Sequence, residues 1–478
     1  MAQSNRQRRG NQERRAAAAA RRRARQRSYA GSGTAGSGTA GSGTAGWWAA
    51  GAGTAPPRTP PPTNPRPGPS AETISTVLLS AAHDHWAGDS QVGARIGATL
   101  ADRCTTQPGM VETAVRQAVM PSIAASWARG WSPDDLHQLA RRRLDATATG
   151  YLIDAIADES QQYAKATVPQ RWRDELQQIG AVVWWEPAEG HLLQWTRRHG
   201  RSVADALATV IEILALLLSL PVLPRIVPPP GSAVTTPVRR AVDQKVLVRV
   251  RGLLAKAEST TFPEEAEALS AKAQELMSRY SLERIIMENP ADAAAAGSDP
   301  HPAAARRLWL DNPYVAAKAL LVGAVAKANR CRTVLSEKLG FTTVLGDEVD
   351  LEIVELLSTS LLVQATRAMV SAGSQITRTG QSRTRSYRQS FLIAYATRIG
   401  ERLATARDAG TAAVPDSARL LPVLAAREQV VDDLFESMFP QSVSRSYSVG
   451  NAAGWHAGRA AADLAILDTR RSVASGGS

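Results

Sequence analysis

One stretch constrains the fold more than any other: Ala241 to Met287, where start signals, stop signals and helical period agree. In its first half Val242, Val246, Val250, Leu253, Leu254 and Ala257 recur at helical spacing. Lys245, Arg249 and Lys256 line another face of the same helix. The helix ends near Glu258. Thr261-Phe-Pro-Glu264 then has capping-box spacing, in which the Thr hydroxyl takes an orphan amide and the Glu reaches back. Pro263 falls in the first turn, where its missing N–H costs little. The second helix carries Ala266, Leu269, Ala273, Leu276 and Tyr280, three and four apart. Two apolar seams joined by a short turn predict a helical hairpin.

The run from Val246 to Tyr280, above all STTFPEEAEA followed by KAQELMSRY, resembles the bacterial and phage domain of unknown function 2786. Looser similarity continues through VLGDEVDLEIVE and SYRQSFLIAYATRIGERL, which look like the domain that follows it in such proteins. The resemblance implies an intracellular protein. It brings no reaction, cofactor or catalytic residue with it.

Charge is unevenly placed along the 478 residues. The formal net charge is +12, and residues 1–30 hold ten Arg, Arg21, Arg22 and Arg23 among them, against Glu13. That arm therefore carries +9, leaving +3 for the rest, so the basic balance belongs mostly to one end. Such a segment cannot bury enough apolar surface to order itself. A GSGTA repeat from Gly31 to Ala45 and a Pro-rich spacer follow, so residues 1–70 read as a disordered basic arm on a long tether. Nucleic acid is the partner that such an arm suits best.

No apolar core precedes a cleavage site, so the arm does not read as a signal peptide. Two cysteines, Cys104 and Cys331, are too few for a disulfide framework or a cysteine-built zinc site, and a reducing cytoplasmic setting fits them. The apolar run Val203 to Leu223 is interrupted by Asp205 and Glu212 and closed by prolines. Charges at mid-span are costly in a bilayer, so it reads as a buried helix and no membrane contact is expected.

Composition divides the remainder. Residues 71–225 read as a helical domain in which Trp131-Ser-Pro-Asp-Asp135 opens a helix: Ser132 caps, Pro133 starts the turn and the acids favour its positive end. Nine of the eleven tryptophans lie no later than Trp195, most of them as core or partner-facing anchors. Residues 226–240 and 289–305 are Pro- and Ala-rich linkers around the hairpin. Residues 306–408 predict a small α+β unit: a helix from Asn312-Pro313 through Ala328, a β-hairpin turning at Lys338-Leu-Gly340, and a long helix opened by Asp347, Glu348 and Asp350. Residues 409–478 extend it through a Pro- and Ala-broken stretch. Gly450, Gly454 and Gly458 then leave one helix face bare for close packing. The fold class expected is mainly α, with a small α+β region towards the C-terminus.

The other basic feature lies between Leu356 and Gly400, where there is no acidic residue while Arg367, Arg378, Arg383, Arg385, Arg388 and Arg398 occur. Arginines on a polar loop beside a folded platform are how phosphate backbones are commonly gripped. Tyr387, Phe391, Tyr395 and Ile399, four apart, read as a core stripe. His83-Asp-His85 lacks a third ligand at matching spacing, so no metal is expected there. No HExxH helix, phosphate-binding GxxxxGK loop, nucleophile elbow or dinucleotide-binding glycine motif occurs. No catalytic residue or cofactor is therefore assigned. The sequence points to a non-catalytic, nucleic-acid-associated protein that grips DNA without sequence preference. The residues in contact would be Arg21, Arg22, Arg23, Arg378, Arg383, Arg385 and Arg388, assisted by Lys245, Arg249 and Lys256. Two rivals stand beside it: a helical protein–protein scaffold, and a metal-dependent hydrolase or nuclease built on Asp347, Glu348 and Asp350.

Overall fold

The first helix begins where a side chain closes it: Ser70 accepts from the Thr73 amide at 3.3 Å, and α1 runs Ala71–Ala87 to a left-handed Gly88. The computed structural model describes residues 70–232, 303–371, 383–412, 417–444 and 449–465. The arm and the Ala241–Met287 segment lie outside the described residues. Seven further α-helices and one short 3-10 helix, Lys165–Thr167, complete the first region: α2 Val92–Thr106, α3 Pro108–Ala128, α4 Pro133–Arg143, α5 Ala146–Ser160, α6 Gln170–Gln178, α7 His191–His199 and α8 Val203–Leu218.

Helix α8 is the hub, packed against α1, α2, α3, α5 and α7. It is the apolar run of the sequence, and Leu207, Val210, Ile211 and Leu214 are fully buried in protein. Asp205, which breaks that run, works in a capping box with Ser202. The expected start of α4 is present too, with Ser132 and Asp135 capping each other's backbone amides. Trp127, Trp131, Trp172 and Trp195 are core residues, whereas Trp86 is exposed.

The second region carries the sheet. Its elements are β1 Ala304–Trp309, α9 Val315–Ala328, β2 Arg332–Ser336, β3 Phe341–Gly346, α10 Glu348–Ser371, α11 Thr384–Ala412, α12 Ser417–Met438 and α13 Ala452–Asp463. The strands lie in the order β1-β3-β2, all antiparallel, with Thr342 between Leu308 and Leu335. The β2–β3 hairpin turns at a left-handed Gly340, as its sequence predicts. The chain is mainly α with this one small sheet among the described residues.

Two features depart from the sequence reading. Ala304 and Ala305, expected at the end of the second linker, begin β1. AARRLW has no strand alternation of its own; it is held by pairing with β3, which is buried at every position. The stretch expected to be broken by Pro and Ala holds a 22-residue helix, α12. Its Val431 joins Leu345 and Ala305 in a small core on one face of the sheet.

The other face, with Val344, packs into a core shared with α9, α10 and α11. Helix α10 is long and apolar enough to span a membrane by composition, yet Leu357, Leu361, Ala365 and Met369 are buried in this core. Tyr387, Phe391, Tyr395 and Ile399 are all buried, so the aromatic stripe is core. The glycine face of α13 is spent on α11: a Cβ at Gly454 would lie 2.4 Å from the Tyr387 carbonyl oxygen, and one at Gly458 would lie 2.2 Å from that of Phe391.

Candidate nucleic-acid interface

The amino end of α11 is basic, in contrast to those of α4, α8 and α10. Helices α4, α8 and α10 carry acids in their first turn, where the helix dipole favours negative charge. Helix α11 has none; Arg383 stands directly before it and Arg385 and Arg388 fall in its opening turns. Positive side chains at the positive end of a helix repel the dipole and together create a site attractive to anions. Arg383 and Arg385 are exposed and Arg388 is half-buried. No carboxylate among the described residues pairs with any of the three. The Arg388 Nε is buried without a hydrogen-bond partner.

Arg385 does not stand alone. With Gln389 it lines a cleft of about 680 Å³ whose opposite wall is the start of α9, formed by Asn312, Tyr314, Val315 and Ala317. Tyr314 precedes that helix in a left-handed conformation, and no side chain caps the helix. The free N–H groups of a helix start and a guanidinium are both common protein ligands for a phosphate oxygen. Glu337 also lines the cleft and brings a negative charge to it.

The structure separates the remaining sequence candidates. Arg367 is exposed near the end of α10. Arg398, from the same acid-poor stretch, is committed within the fold, to Asp463 at 2.5 Å and Glu401 at 2.9 Å. Arg21, Arg22, Arg23, Lys245, Arg249, Lys256 and Arg378 lie outside the described residues.

The three carboxylates at the start of α10 also have partners in the protein. Asp347 accepts from the Val349 amide at 3.0 Å, Glu348 pairs with Arg306 at 2.7 Å, and Asp350 faces Arg330 at 3.6 Å. His83 packs on Trp86 with ring centroids 5.6 Å apart. Among the described residues no group of three or more His, Cys, Asp or Glu side chains is placed to hold a metal ion.

Sequence reasoning missed a cleft of about 870 Å³ between α3, α5 and the start of α7. Buried His191 meets Asp154 at 3.0 Å and packs on Trp185, 4.2 Å between centroids. Glu112 accepts from the His191 and Leu192 amides, both at 2.9 Å, and so caps α7 from a distant helix. Glu159 accepts from Trp127, Gln162 and Tyr163, while burial holds its carboxyl above the ordinary range. Each of these carboxylates finds its donors inside the fold, which makes the cluster a structural one. Its members lie too far apart in sequence for any spacing to have revealed it.

No curated protein and no solved structure matches the chain. Residues 245–284, the heart of the segment whose spacing predicts a helical hairpin, match the model of the family described as protein of unknown function (DUF2786).

Proposed function

We propose that the protein associates with nucleic acid, duplex DNA without sequence preference, through phosphate contacts. Arg21, Arg22 and Arg23 on the tethered arm supply long-range attraction. Arg383, Arg385 and Arg388 form the second, folded contact, with Arg378 and with Lys245, Arg249 and Lys256 adding to it. The observation that carries this reading is the cleft in which Arg385 faces the uncapped start of α9. An Arg and a helix start converging on one space suit a phosphate better than they suit a neutral ligand. The reading assigns no catalytic step and places the protein in the cytoplasm.

A scaffold would need helix faces left open to a partner, and the glycine face of α13 is one such surface in the sequence. That face is occupied by α11, which leaves the alternative to the Ala241–Met287 seam alone.

Purification with and without residues 1–70 tests the proposal. The full chain is expected to carry nucleic acid at low salt, seen as excess absorbance at nucleic-acid over protein wavelengths, and to shed it at high salt. A full chain free of nucleic acid at low salt, with no uptake of added duplex, would overturn it.

A further inference from the structure

We propose that the cleft between α3, α5 and the start of α7 binds a primary alkylammonium ion, held by the ring nitrogen of His191 that the fold leaves open. The cleft encloses about 870 Å³. That size lies within the range of small-molecule sites, roughly 300–1,000 Å³. Met120, Val183, Trp185 and Pro187 give it an apolar side against which a short alkyl chain can lie.

The carboxylates around the cleft are spent on the fold, but the His191 ring is spent only in part. Its Nε2 lies 3.0 Å from Asp154 Oδ2. A carboxylate only accepts, so Nε2 carries the hydrogen and Nδ1 is left as an acceptor. Nδ1 has no hydrogen-bond partner among the described residues. Nor is it sealed inside the protein, as Nδ1 of His85 is. His191 as a whole is 7% exposed and lines the cleft, so its open nitrogen gives onto that space. An acceptor this enclosed has little water to pair with, and a ligand donor that reaches it replaces a poor partner with a good one.

Charge selects among donors. Arg116 is matched by Asp158 at 3.0 Å and Arg197 by Glu189 at 2.8 Å. Glu112 answers the positive end of α7, whose first amides it accepts from. Asp154 behind the ring and Glu159 on the cleft wall remain, and no Lys or Arg among the described residues pairs with either. The surplus around Nδ1 is negative, so the donor that fits is a cation rather than a neutral hydroxyl or amide. An ammonium N–H donating to Nδ1, with its chain along Trp185 and Pro187, satisfies both demands. The site shares no residue with the phosphate contact proposed above and does not depend on it.

The test titrates the full chain at neutral pH, by calorimetry, with hexylamine, hexyltrimethylammonium, hexanol and hexanoate. Hexylamine is expected to bind about tenfold or more tighter than hexyltrimethylammonium, which keeps the charge without an N–H. It should exceed hexanol, which keeps a donor without the charge, by a similar factor, and hexanoate should fail. His191→Phe keeps a ring against Trp185 and should bring hexylamine down to the level of hexyltrimethylammonium. Nitrogen-15 NMR reads the contact without any substitution: the His191 Nδ1 resonance should move with hexylamine and stay in place with hexyltrimethylammonium. Acetyl-lysine methylamide, run beside hexylamine, separates the two sources of such a head: tighter binding assigns the site to a lysine side chain, weaker binding to a free amine. Equal binding of hexylamine and hexyltrimethylammonium, an Nδ1 resonance that ignores hexylamine, hexylamine binding undiminished in His191→Phe, or no binding at all would overturn the proposal.

Discussion

Arg307 of β1 is buried against Asp135, the residue that closes the cap of α4, although 172 positions separate them. The guanidinium also donates to the carbonyls of Gly130 at 3.1 Å and Pro224 at 2.7 Å. The second Asp135 oxygen accepts from the Trp309 indole at 3.1 Å. One carboxylate thus starts a helix in the first region and anchors a strand in the second. The attraction is strong only while both charges stay paired, because either one left alone in the interior is heavily penalised.

Arg307→Met strands Asp135 and is expected to cost about 3–5 kcal/mol. Urea unfolding followed by tryptophan fluorescence measures this directly, as a lowered midpoint at unchanged slope. A loss below about 1 kcal/mol would mean that the pair behaves like an exposed one.

Helix α13 is held by contact too close for a side chain. Gly458→Ala should force it off α11, since the added Cβ would meet the Phe391 carbonyl at 2.2 Å. Such overpacking typically costs about 1–3 kcal/mol, more where backbone must move. Gly450→Ala is the control: it lies before the helix, and its nearest neighbour would be Ser386 Oγ at 3.5 Å. Exchange protection of α13 amides should fall in the first variant and persist in the second.

The same helix has an acid-sensitive tie. Glu401 of α11 accepts from Arg459 of α13 at 3.0 and 2.9 Å and from Arg398 at 2.9 Å. Those hydrogen bonds, from Arg459 first and Arg398 second, lower its carboxyl from 4.5 to about 2. A depressed carboxylate stabilises the fold above its unfolded value and loses that contribution as pH falls through the folded one. The contribution is therefore full above about pH 4.5 and gone near pH 2, and it is modest because the pair is exposed to solvent. NMR titration should place the Glu401 midpoint near 2, with α13 loosening over the same window. Glu401→Gln should remove that pH dependence; a midpoint near 4.5 would contradict the geometry.

What the sequence revealed was local. The Ser132–Asp135 cap, the Gly340 turn and the glycine face of α13 each rest on residues within a turn or two of one another, so spacing alone exposes them. Strand β1 was hidden because AARRLW takes its conformation from β3. Arg307 was hidden because its partner lies in another region of the chain. Arg398 shows what counting charge along a stretch misses: it lies in the acid-free run, yet Glu401 and Asp463 neutralise it across a helix turn and a helix contact. Of the basic residues expected to touch nucleic acid, Arg383, Arg385 and Arg388 are the described ones, and they lie together at the start of α11.

The most direct measurement is the salt dependence of duplex binding, read by fluorescence anisotropy on a labelled DNA. The slope of log K against log salt counts phosphate contacts, at about −0.9 each. The full chain should bind with a steep slope. Deleting residues 1–30 should flatten it by several units, and replacing Arg383, Arg385 and Arg388 together by Ala should flatten it by about 2–3. Binding that ignores salt, or a slope unchanged in the triple variant, would contradict a phosphate grip at the start of α11.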